Sequence, residues 1–307
     1  MSTIPLRLGT RGSPLALAQA DIVAGALRTA HGWDDDAIAI VPIVAAGDRV
    51  QHRALAEIGG KALWTRELDV ALRDGRIDFA VHSMKDVETI RPAEIVLAAL
   101  LPRADVRDRL IGAESIDSLP DRARIGTASP RRAAQLLRRR PDLDIGLLRG
   151  NVATRAASVG QGRFDATLLA ASGLDRLGHP DVGTPLPASE FLPAPQQGAI
   201  GIETLAEKGP LRRLIETIDD DVTHRCIAAE RALLEALGAD CRSPVAALAR
   251  IEGDAMTLAA EILTNNGSEC VAGEEAGPAD DGDALGRALA ERLLGQASPR
   301  LRRLFAG

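Results

Sequence analysis

The stretch Asp78-Phe-Ala-Val-His-Ser-Met-Lys-Asp86 decides the fold class, because it is a short apolar run that stops abruptly on polar residues. Buried strands of parallel sheets show this pattern, and they deliver the residues at their carboxyl ends into the crevice where ligands of α/β proteins bind. Lys85 is one of three lysines in the chain, against 34 arginines. A compact ammonium beside Asp86 therefore indicates a ligand site, with an ordinary Lys-Asp ion pair as the alternative.

Outward from this stretch, similar apolar runs alternate with helical patterns through roughly the first two thirds of the chain. That rhythm predicts a mainly parallel α/β architecture. The predicted strands are Ile4 to Leu8, Ile38 to Val44, Asp78 to His82, Ile95 to Leu101, Arg124 to Thr127 and Asp165 to Ala170.

Two segments of the chain recur. Gly9-Thr-Arg-Gly-Ser-Pro14 resembles Gly126-Thr-Ala-Ser-Pro130, and Gly75-Arg-Ile-Asp-Phe-Ala-Val81 resembles Gly162-Arg-Phe-Asp-Ala-Thr-Leu168. The recurrence predicts two related lobes, and coincidence between two βα units is the alternative. Each Ser-Pro pair suits a helix start, with serine as the N-cap and proline as the first helical residue. A helix start presents free N–H groups, so an anion site is expected at each one.

The last third of the chain changes character after the acidic run at 219–221. A helical stripe ending at Gly238, a turn at Asn265-Asn-Gly267 and a final amphipathic helix predict a small α+β C-terminal domain. The stripe consists of Val222, Cys226, Ala229, Leu233 and Leu237, and the final helix places Leu285, Leu289 and Leu293 on one face.

The composition narrows the class of partner. A net charge of −6 and an aromatic content of 2% argue against nucleic acid, and no apolar stretch has the length of a membrane span. Met1 leads into a predicted strand rather than an export signal, and the three cysteines are far apart without metal-ligand spacing. We therefore expect a reduced cytoplasmic protein that binds a small acidic molecule, with no metal site, no nucleic-acid partner and no membrane.

Two features have the chemistry of a site. Cys241 lies in the loop at 238–244, where Arg242 favours its thiolate and the preceding helix C-terminus disfavours it, so an incidental loop thiol stays open. Arg131 and Arg132 lie just inside a predicted helix start, where cations oppose the helix dipole and an anionic ligand would compensate.

With these residues in view, the chain resembles the porphobilinogen deaminase family along almost its whole length. The resemblance is carried by the motifs at 8–17, Gly59-Gly-Lys61, Ala80 to Val87, Gly126 to Arg132, Leu148-Arg-Gly-Asn151 with Thr154-Arg155, Gln197-Gly198 and the loop cysteine Cys241.

The resemblance implies an α/β fold of two periplasmic-binding-protein-like (type II) lobes plus a small α+β C-terminal domain. Residues 1–99 and 197–218 would form a discontinuous first lobe, 100–196 the second lobe, and 219–307 the C-terminal domain. It also implies a monomeric transferase that joins four porphobilinogen molecules into hydroxymethylbilane and releases ammonia.

Residue roles follow from the same resemblance. Asp86 would be the catalytic acid and base, and a dipyrromethane cofactor would be attached through a thioether to Cys241. Further cofactor contacts would come from Asp48, Ser83, Lys85, Thr127, Ser129, Arg131 and Arg132. The incoming porphobilinogen would meet Arg11, Ser13, Gln19, Arg149, Arg155 and Arg176. A lid from Ala46 to Gly60 would adjoin Lys61.

Some positions depart from the family pattern. Ala128 and Pro130 replace a usual serine and leucine, Glu88 stands where proline is usual, and Ala239-Asp240 replaces a glycine pair before the cysteine. The alternative function is a non-catalytic two-lobed protein that binds an organic acid. A transferase using Cys241 for acyl chemistry has no recognisable histidine or asparagine partner.

Overall fold

A computed structural model describes residues 5–44 and 65–305 of the 307-residue chain. These residues contain two five-stranded sheets and one three-stranded sheet. The strands are β1 (Leu6–Arg11), β2 (Ile38–Ile43), β3 (Phe79–Ser83), β4 (Ile95–Leu100), β5 (Asp108–Ile111), β6 (Arg124–Gly126), β7 (Asp144–Gly146), β8 (Ala166–Ala170), β9 (Thr184–Pro185), β10 (Ile200–Leu205), β11 (Val245–Glu252), β12 (Ala255–Leu263) and β13 (Cys270–Pro278).

The helices lie between these strands and after them. They are α1 (Pro14–His31), α2 (Arg66–Arg73), α3 (Pro130–Arg139), α4 (Val152–Gly160), α5 (Ala171–Arg176), α6 (Gly209–Glu216), α7 (Asp221–Leu237), α8 (Gly282–Gln296) and α9 (Pro299–Arg302). None of the helices in the described part of the chain combines the length and apolarity needed to cross a bilayer.

The two larger sheets have the same topology. Their orders are β2-β1-β3-β10-β4 and β7-β6-β8-β5-β9. In each sheet the first three strands are parallel, and the strand in fourth place is antiparallel to both of its neighbours. The prediction of a mainly parallel architecture is therefore confirmed, with β10 and β5 as the strands that run against the rest of their sheets. Apolar runs mark where strands lie but not which way they point.

The two recurring segments fall at matching places in these sheets. β1 and β6 both hold second place and lead into the helices α1 and α3, while β3 and β8 both hold third place. The glycines of the repeat also share a packing reason: a Cβ on Gly9 would lie 2.2 Å from Ile77 Cδ1, and one on Gly126 would lie 2.5 Å from Leu148 Cδ2. These matches favour two related lobes over coincidence.

The chain divides into two compact units. Among the described residues, 5–44, 65–104 and 199–224 form the first, and 105–198 with 225–305 form the second. The first unit buries a cluster between its sheet and α1 that includes Leu8, Leu27, Phe79 and Ile202. The second unit contains one cluster around Ile125 and Leu168 and another inside the three-stranded sheet.

The C-terminal part is an antiparallel sheet of order β11-β12-β13 that packs against α8. β12 and β13 form the hairpin predicted around Asn265-Asn-Gly267, and Leu289 and Leu293 are fully buried under it. The α7 stripe is confirmed from Cys226 onward, and the helix ends before Gly238 as predicted. Val222 was wrongly included in the stripe, because it lies in the first turn of α7 and is 47% exposed.

Candidate active site

The carboxyl ends of β1 and β3 meet at one edge of the first sheet. These strands are paired in parallel, with Leu8 opposite Phe79 and Gly9 opposite Ala80. β1 ends on Arg11, and β3 ends on Ser83 and continues into a single 3-10 turn, Met84–Asp86. Because β2 and β3 lie on opposite sides of β1, this edge is the point where the chain reverses its direction of winding, which is where α/β sheets bind ligands.

An open cleft lies at this edge. Among the described residues it is lined by Arg11, Ser13, Leu15, Ala16, Gln19, Thr65, Val81, His82, Ser83 and Asp86. The cleft thus brings Asp86 together with four other predicted site residues: Arg11, Ser13, Gln19 and Ser83.

Helix α1 begins at the cleft as its sequence predicts. Ser13 is the N-cap, its Oγ accepting a hydrogen bond from the amide of Ala16 at 3.3 Å, and Pro14 is the first helical residue. Gln19, one turn further, is 3% exposed and donates from Nε2 to Ser83 Oγ at 2.8 Å. This bond ties the start of α1 to the end of β3, so Gln19 orders the cleft as well as lining it.

The turn that carries Lys85 and Asp86 is anchored from below. Met84 is 1% exposed, and its amide donates to the carbonyl of Ala199 at 3.1 Å. A Cβ on Gly201 would lie 2.1 Å from Met84 Sδ, so β10 needs glycine to accept this side chain. Lys85 and Asp86 are half-buried on the other side of the turn.

A buried ionic cluster, formed by His82, Glu203, Arg91, Asp69 and Glu88, adjoins the cleft. Nε2 of His82 lies 3.1 Å from Oε2 of Glu203, and Nη2 of Arg91 donates to that same oxygen at 2.8 Å. Arg91 also donates to Asp69 at 2.6 Å and to Glu88 at 2.9 Å. Burial acts to raise the pKa of Glu203, but the neighbouring His82 and Arg91 outweigh that and lower it to about 2.

Glu88, which departs from the family pattern, has a structural partner of its own. Thr65 Oγ1 donates to Glu88 Oε2 at 2.7 Å. Since Thr65 lines the cleft and Glu88 lies two residues after Asp86, this bond joins two segments of the cleft wall. The sequence offered no sign of this cluster, because Glu203, the carboxylate that both His82 and Arg91 approach, comes from β10, more than a hundred residues further along the chain.

In the second unit, the loop after β6 repeats the arrangement after β1. Ser129 is the N-cap of α3, its Oγ accepting from the amide of Arg132 at 3.4 Å, and Pro130 is the first helical residue. Thr127 Oγ1 accepts from the amide of Ser129 at 3.1 Å. The prediction that both Ser-Pro pairs start helices is confirmed.

Arg131 and Arg132 are held by a carboxylate that the sequence analysis missed. Asp108 at the start of β5 is fully buried and accepts from Arg131 Nη2 at 2.8 Å, from Arg132 Nη2 at 2.6 Å and from Gln197 Nε2 at 3.0 Å. The helix-start cations therefore have an internal counterion, whereas the sequence pointed only to a ligand. Asp108 stands between Arg107 and Arg109, a pattern typical of a solvated surface, so no local signal marked it.

One carboxylate does not satisfy both guanidinium groups. Arg131 and Arg132 are 3% and 5% exposed, and within the described residues the Nε atom of each has no hydrogen-bond partner. Burial lowers the pKa of Arg131, the charge of Asp108 partly offsets that effect, and the like charge of Arg132 adds to it. The pair thus retains donor capacity and an excess of buried positive charge, which favour an anionic ligand.

Three further predicted arginines belong to the second unit. Burial lowers the pKa of Arg149, which precedes α4. Arg155 donates from Nε to the carbonyl of Gly150 at 2.9 Å. Arg176, at the end of α5, donates to the carbonyl of Gly198 at 2.7 Å, and burial lowers its pKa to about 10. Arg176 therefore remains a cation at neutral pH.

The three cysteines differ in availability. Cys241 is exposed, Cys226 is buried, and burial together with the charge of Glu261 raises the pKa of Cys270 to about 12. Arg242 is not simply available to the Cys241 thiolate, because its guanidinium donates to Asp240 Oδ2 at 2.6 and 2.9 Å. Cys241 is thus the accessible thiol of the three.

The two compact units divide the predicted site residues between them. The first contains Arg11, Ser13, Gln19, Ser83, Lys85 and Asp86, and the second contains Thr127, Ser129, Arg131, Arg132, Arg149, Arg155, Arg176 and Cys241. Asp48, Lys61 and the expected lid from Ala46 to Gly60 lie outside the described residues.

Comparison with known proteins gives consistent matches along the chain. A family model described as "Porphobilinogen deaminase, dipyromethane cofactor binding domain" matches residues 6–213, and a second, "Porphobilinogen deaminase, C-terminal domain", matches residues 224–295. A porphobilinogen deaminase of Sphingopyxis alaskensis is 56% identical over 98% of this chain and 97% of its own. One of Paracoccus denitrificans is 48% identical over 95% of each chain.

Solved structures resemble the chain more distantly. A periplasmic substrate-binding protein of an ABC transporter from Coxiella burnetii is 14% identical with a TM-score of 0.43, covering 71% of this chain and 94% of that one. The aliphatic sulphonate binding protein SsuA from Escherichia coli is 16% identical with a TM-score of 0.39, covering 76% and 70%. Likeness at this level carries no functional inference.

Proposed function

Because the chain belongs to the porphobilinogen deaminase family, we propose that it is a hydroxymethylbilane synthase whose Asp86 performs the proton transfers. This transferase joins four porphobilinogen molecules head to tail, releases four ammonia molecules and frees the linear tetrapyrrole with water. The observation that supports Asp86 is its place in the cleft with Arg11, Ser13 and Ser83.

Asp86 suits both halves of each condensation. Loss of ammonia from the aminomethyl side chain leaves positive charge on a pyrrole whose N–H becomes a strong donor. A half-buried carboxylate accepts that hydrogen bond and stabilises the cation. After the new carbon–carbon bond has formed, the carboxylate takes the proton that leaves the attacking α-carbon. Gln19 and Ser83 hold the strand end that carries the turn, so the carboxylate stays in place through successive additions.

The predicted arginines are suited to bind the carboxylates of the substrate. Porphobilinogen carries an acetate and a propionate side chain, and guanidinium groups bind carboxylates through paired charge-assisted hydrogen bonds. We propose that Arg11, Arg149, Arg155 and Arg176 bind them, with Ser13 and Gln19 adding neutral contacts. Burial of Arg176 strengthens such bonds, because less water competes for the cation.

The residues of the second unit fit a dipyrromethane, which also carries carboxylates. The unpartnered Nε atoms of the buried Arg131 and Arg132 are donors that an anionic group would satisfy. We propose that these two arginines hold it with Ser83, Lys85, Thr127, Ser129 and Asp48, and that Cys241 is its covalent attachment point. When bound, the dipyrromethane supplies the free α-carbon to which the first pyrrole is joined.

The proposal also covers the domain organisation, oligomeric state, location and partners of the protein. We propose that the two five-stranded sheets and the three-stranded sheet form three domains with limits at 99, 196 and 218. A monomer in the cytoplasm that binds neither nucleic acid nor membranes is part of the same proposal. Family membership does not favour the alternative of a non-catalytic protein that binds organic acids.

The intact mass of the purified protein, measured under denaturing conditions beside its Cys241→Ser variant, tests the proposal. We expect the chain to carry an excess equal to two deaminated porphobilinogen units and the variant to lack it. An unmodified mass that persists after incubation with porphobilinogen would contradict the covalent cofactor and favour a binding protein.

A further inference from the structure

A chain of hydrogen bonds links the C-terminal sheet to Arg131. Arg131 Nη1 donates to Gln135 Oε1 at 2.9 Å, one turn further along α3. Gln135 Nε2 in turn donates to Glu261 Oε1, on β12, at 2.6 Å and to the carbonyl of Leu192 at 2.9 Å. Gln135 and Glu261 are 6% and 9% exposed, so the chain is shielded from water along its length.

Glu261, together with the carbonyl of Leu192, determines which way the amide of Gln135 points. A side-chain amide has one accepting and one donating end, and the two are similar in shape. A carboxylate only accepts, so Glu261 requires the NH₂ end of Gln135, and the oxygen is left to face Arg131. With the amide reversed, two donors would meet at Arg131 and two acceptors would meet at Glu261, both buried and unsatisfied.

The same hairpin also sets the distance between the C-terminal sheet and α3. Gly267, in the turn between β12 and β13, has a φ of +68°. A Cβ there would lie 2.4 Å from the carbonyl oxygen of Ala134 and 2.5 Å from the amide nitrogen of Arg138. The hairpin therefore sits directly on the helix backbone, and Arg138 Nη1 adds a bond to Glu261 Oε2 at 3.1 Å.

We propose that Glu261 is a positioning residue for Arg131, acting through Gln135. The Nη2 atom of Arg131 is held by Asp108, and its Nη1 atom is held by Gln135 and the carbonyl of Leu192. With both ends held, the remaining Nε–H has one direction in which to present its hydrogen. The C-terminal sheet thus orients an arginine of the second lobe. This inference rests on the proposed function, in which Arg131 binds the dipyrromethane.

The test is the rate at which the cofactor becomes attached to full-length protein made without it. Protein is incubated with porphobilinogen, and the gain of two pyrrole units is followed by intact mass, which does not depend on turnover. The variants are Glu261→Gln, which replaces the charged acceptor of the Gln135 amide with a neutral group that can also donate, and Gln135→Met, which removes the link from the helix side.

Two control variants distinguish the orientation of Arg131 through Gln135 from the packing of the hairpin against α3. Glu275→Gln makes the same chemical change on β13, where the carboxylate pairs with Arg292 of α8 at 3.1 Å. Arg138→Gln removes the half-exposed ion pair to Glu261 but leaves the bond between Gln135 and Glu261. Thermal unfolding is measured for all four variants.

We expect Glu261→Gln and Gln135→Met to slow attachment about three- to tenfold, the effect of one weakened hydrogen bond to a charged group. Glu275→Gln and Arg138→Gln should stay within about twofold of the parent chain, even where Arg138→Gln lowers the melting temperature. If Glu261→Gln fails to fold, Gln135→Met alone tests the inference, and the same three- to tenfold slowing is expected of it.

Parent rates in both Glu261→Gln and Gln135→Met would overturn the inference. So would an equal slowing in Arg138→Gln, because the hairpin would then act only as a clamp. A parent chain that gains no mass at all would overturn the proposed function, and the inference with it. If all the chains gain the cofactor at equal rates, by contrast, only the inference about Glu261 fails and the proposed function stands.

Discussion

At the residue scale, Asp86 is distinguished from the other carboxylates by where its backbone is held. The 3-10 turn is fixed by the buried Met84, whereas carboxylates such as Glu94 and Asp74 of the first unit pair with arginines on its surface. Substitution of a carboxylate in such a position should lower the reaction rate more than it lowers the stability of the fold.

We therefore expect Asp86→Asn to lower turnover about 10²- to 10⁴-fold, because the amide neither takes the proton nor stabilises the pyrrole cation as well. The melting temperature should be unchanged. Steady-state assay of hydroxymethylbilane formation checks this, with Asp74→Asn on the exposed end of α2 as the control. Retention of half the parent activity by Asp86→Asn would remove it from the mechanism.

Asp108 is the opposite case, a buried carboxylate on which stability depends. Asp108→Asn leaves Arg131 and Arg132 buried without a counterion, so we expect a loss of about 3–5 kcal/mol in the free energy of unfolding. Urea denaturation measures it. Asp175→Asn is the matched control: it pairs with Arg109 but is more than a third exposed, and should cost less than about 1 kcal/mol. Equal losses in the two variants would contradict the assignment.

At the element scale, the repeated Ser-Pro starts combine a structural and a binding role. Ser13, Ser129 and Ser298 each cap a helix in the same way, but only the first two lie in proposed binding loops. A cap bond is worth a similar amount wherever it occurs, so any difference in activity reports on binding.

We expect Ser13→Ala to lose about 0.5–2 kcal/mol in the free energy of unfolding, because it removes one bond to a helix-start amide. Ser298→Ala should lose at least as much, because it removes a cap bond and also the bond from Ser298 Oγ to Glu269 Oε2 at 2.7 Å. Only Ser13→Ala should also raise the KM for porphobilinogen. Chemical denaturation and initial-rate kinetics on both variants decide this. A raised KM in Ser298→Ala would show that capping alone explains the effect.

The elements that sequence predicted are those whose signal is local. The apolar run beginning at Ile38 and the two Ser-Pro starts carry their information within a few residues, and the structure places them within one or two positions. β5 was not predicted, because it opens on Asp108-Arg109, whose charges are satisfied by side chains far along the chain. The reversal of β10 was missed for a related reason: strand direction depends on connections, which periodicity does not record.

The site shows the same division. Asp86 and the arginines could be identified from strand ends, helix starts and family motifs. Asp108, Glu261 and the cluster around Glu203 could not, because each owes its role to a partner brought close only by folding.

At the scale of the whole molecule, the ionic cluster beside the cleft should govern acid stability. The pKa of Glu203 is lowered from 4.5 to about 2, so its ionised form stabilises the fold above its ordinary pKa and that stabilisation is lost as the pH falls towards 2. The full contribution is roughly 3 kcal/mol.

Urea denaturation from about pH 6 to about pH 3 tests this with Glu203→Gln, which should be less stable than the parent at pH 6 and should lose less stability on acidification. Glu94→Gln, whose carboxylate pairs with Arg73 at the surface, is the control and should follow the parent. Parallel pH profiles for the parent and Glu203→Gln would place acid sensitivity elsewhere.

The first sheet is finished late during synthesis on the ribosome. β10 lies between β3 and β4, so those two strands have unpaired facing edges until residue 205 has been made, whereas the second sheet has all five of its strands by residue 185. Domains usually fold in the order in which they emerge, but here the later lobe is completed before the earlier one. Until then the nascent chain carries two open strand edges that invite pairing with other chains, and these are the surfaces that a chaperone would have to cover.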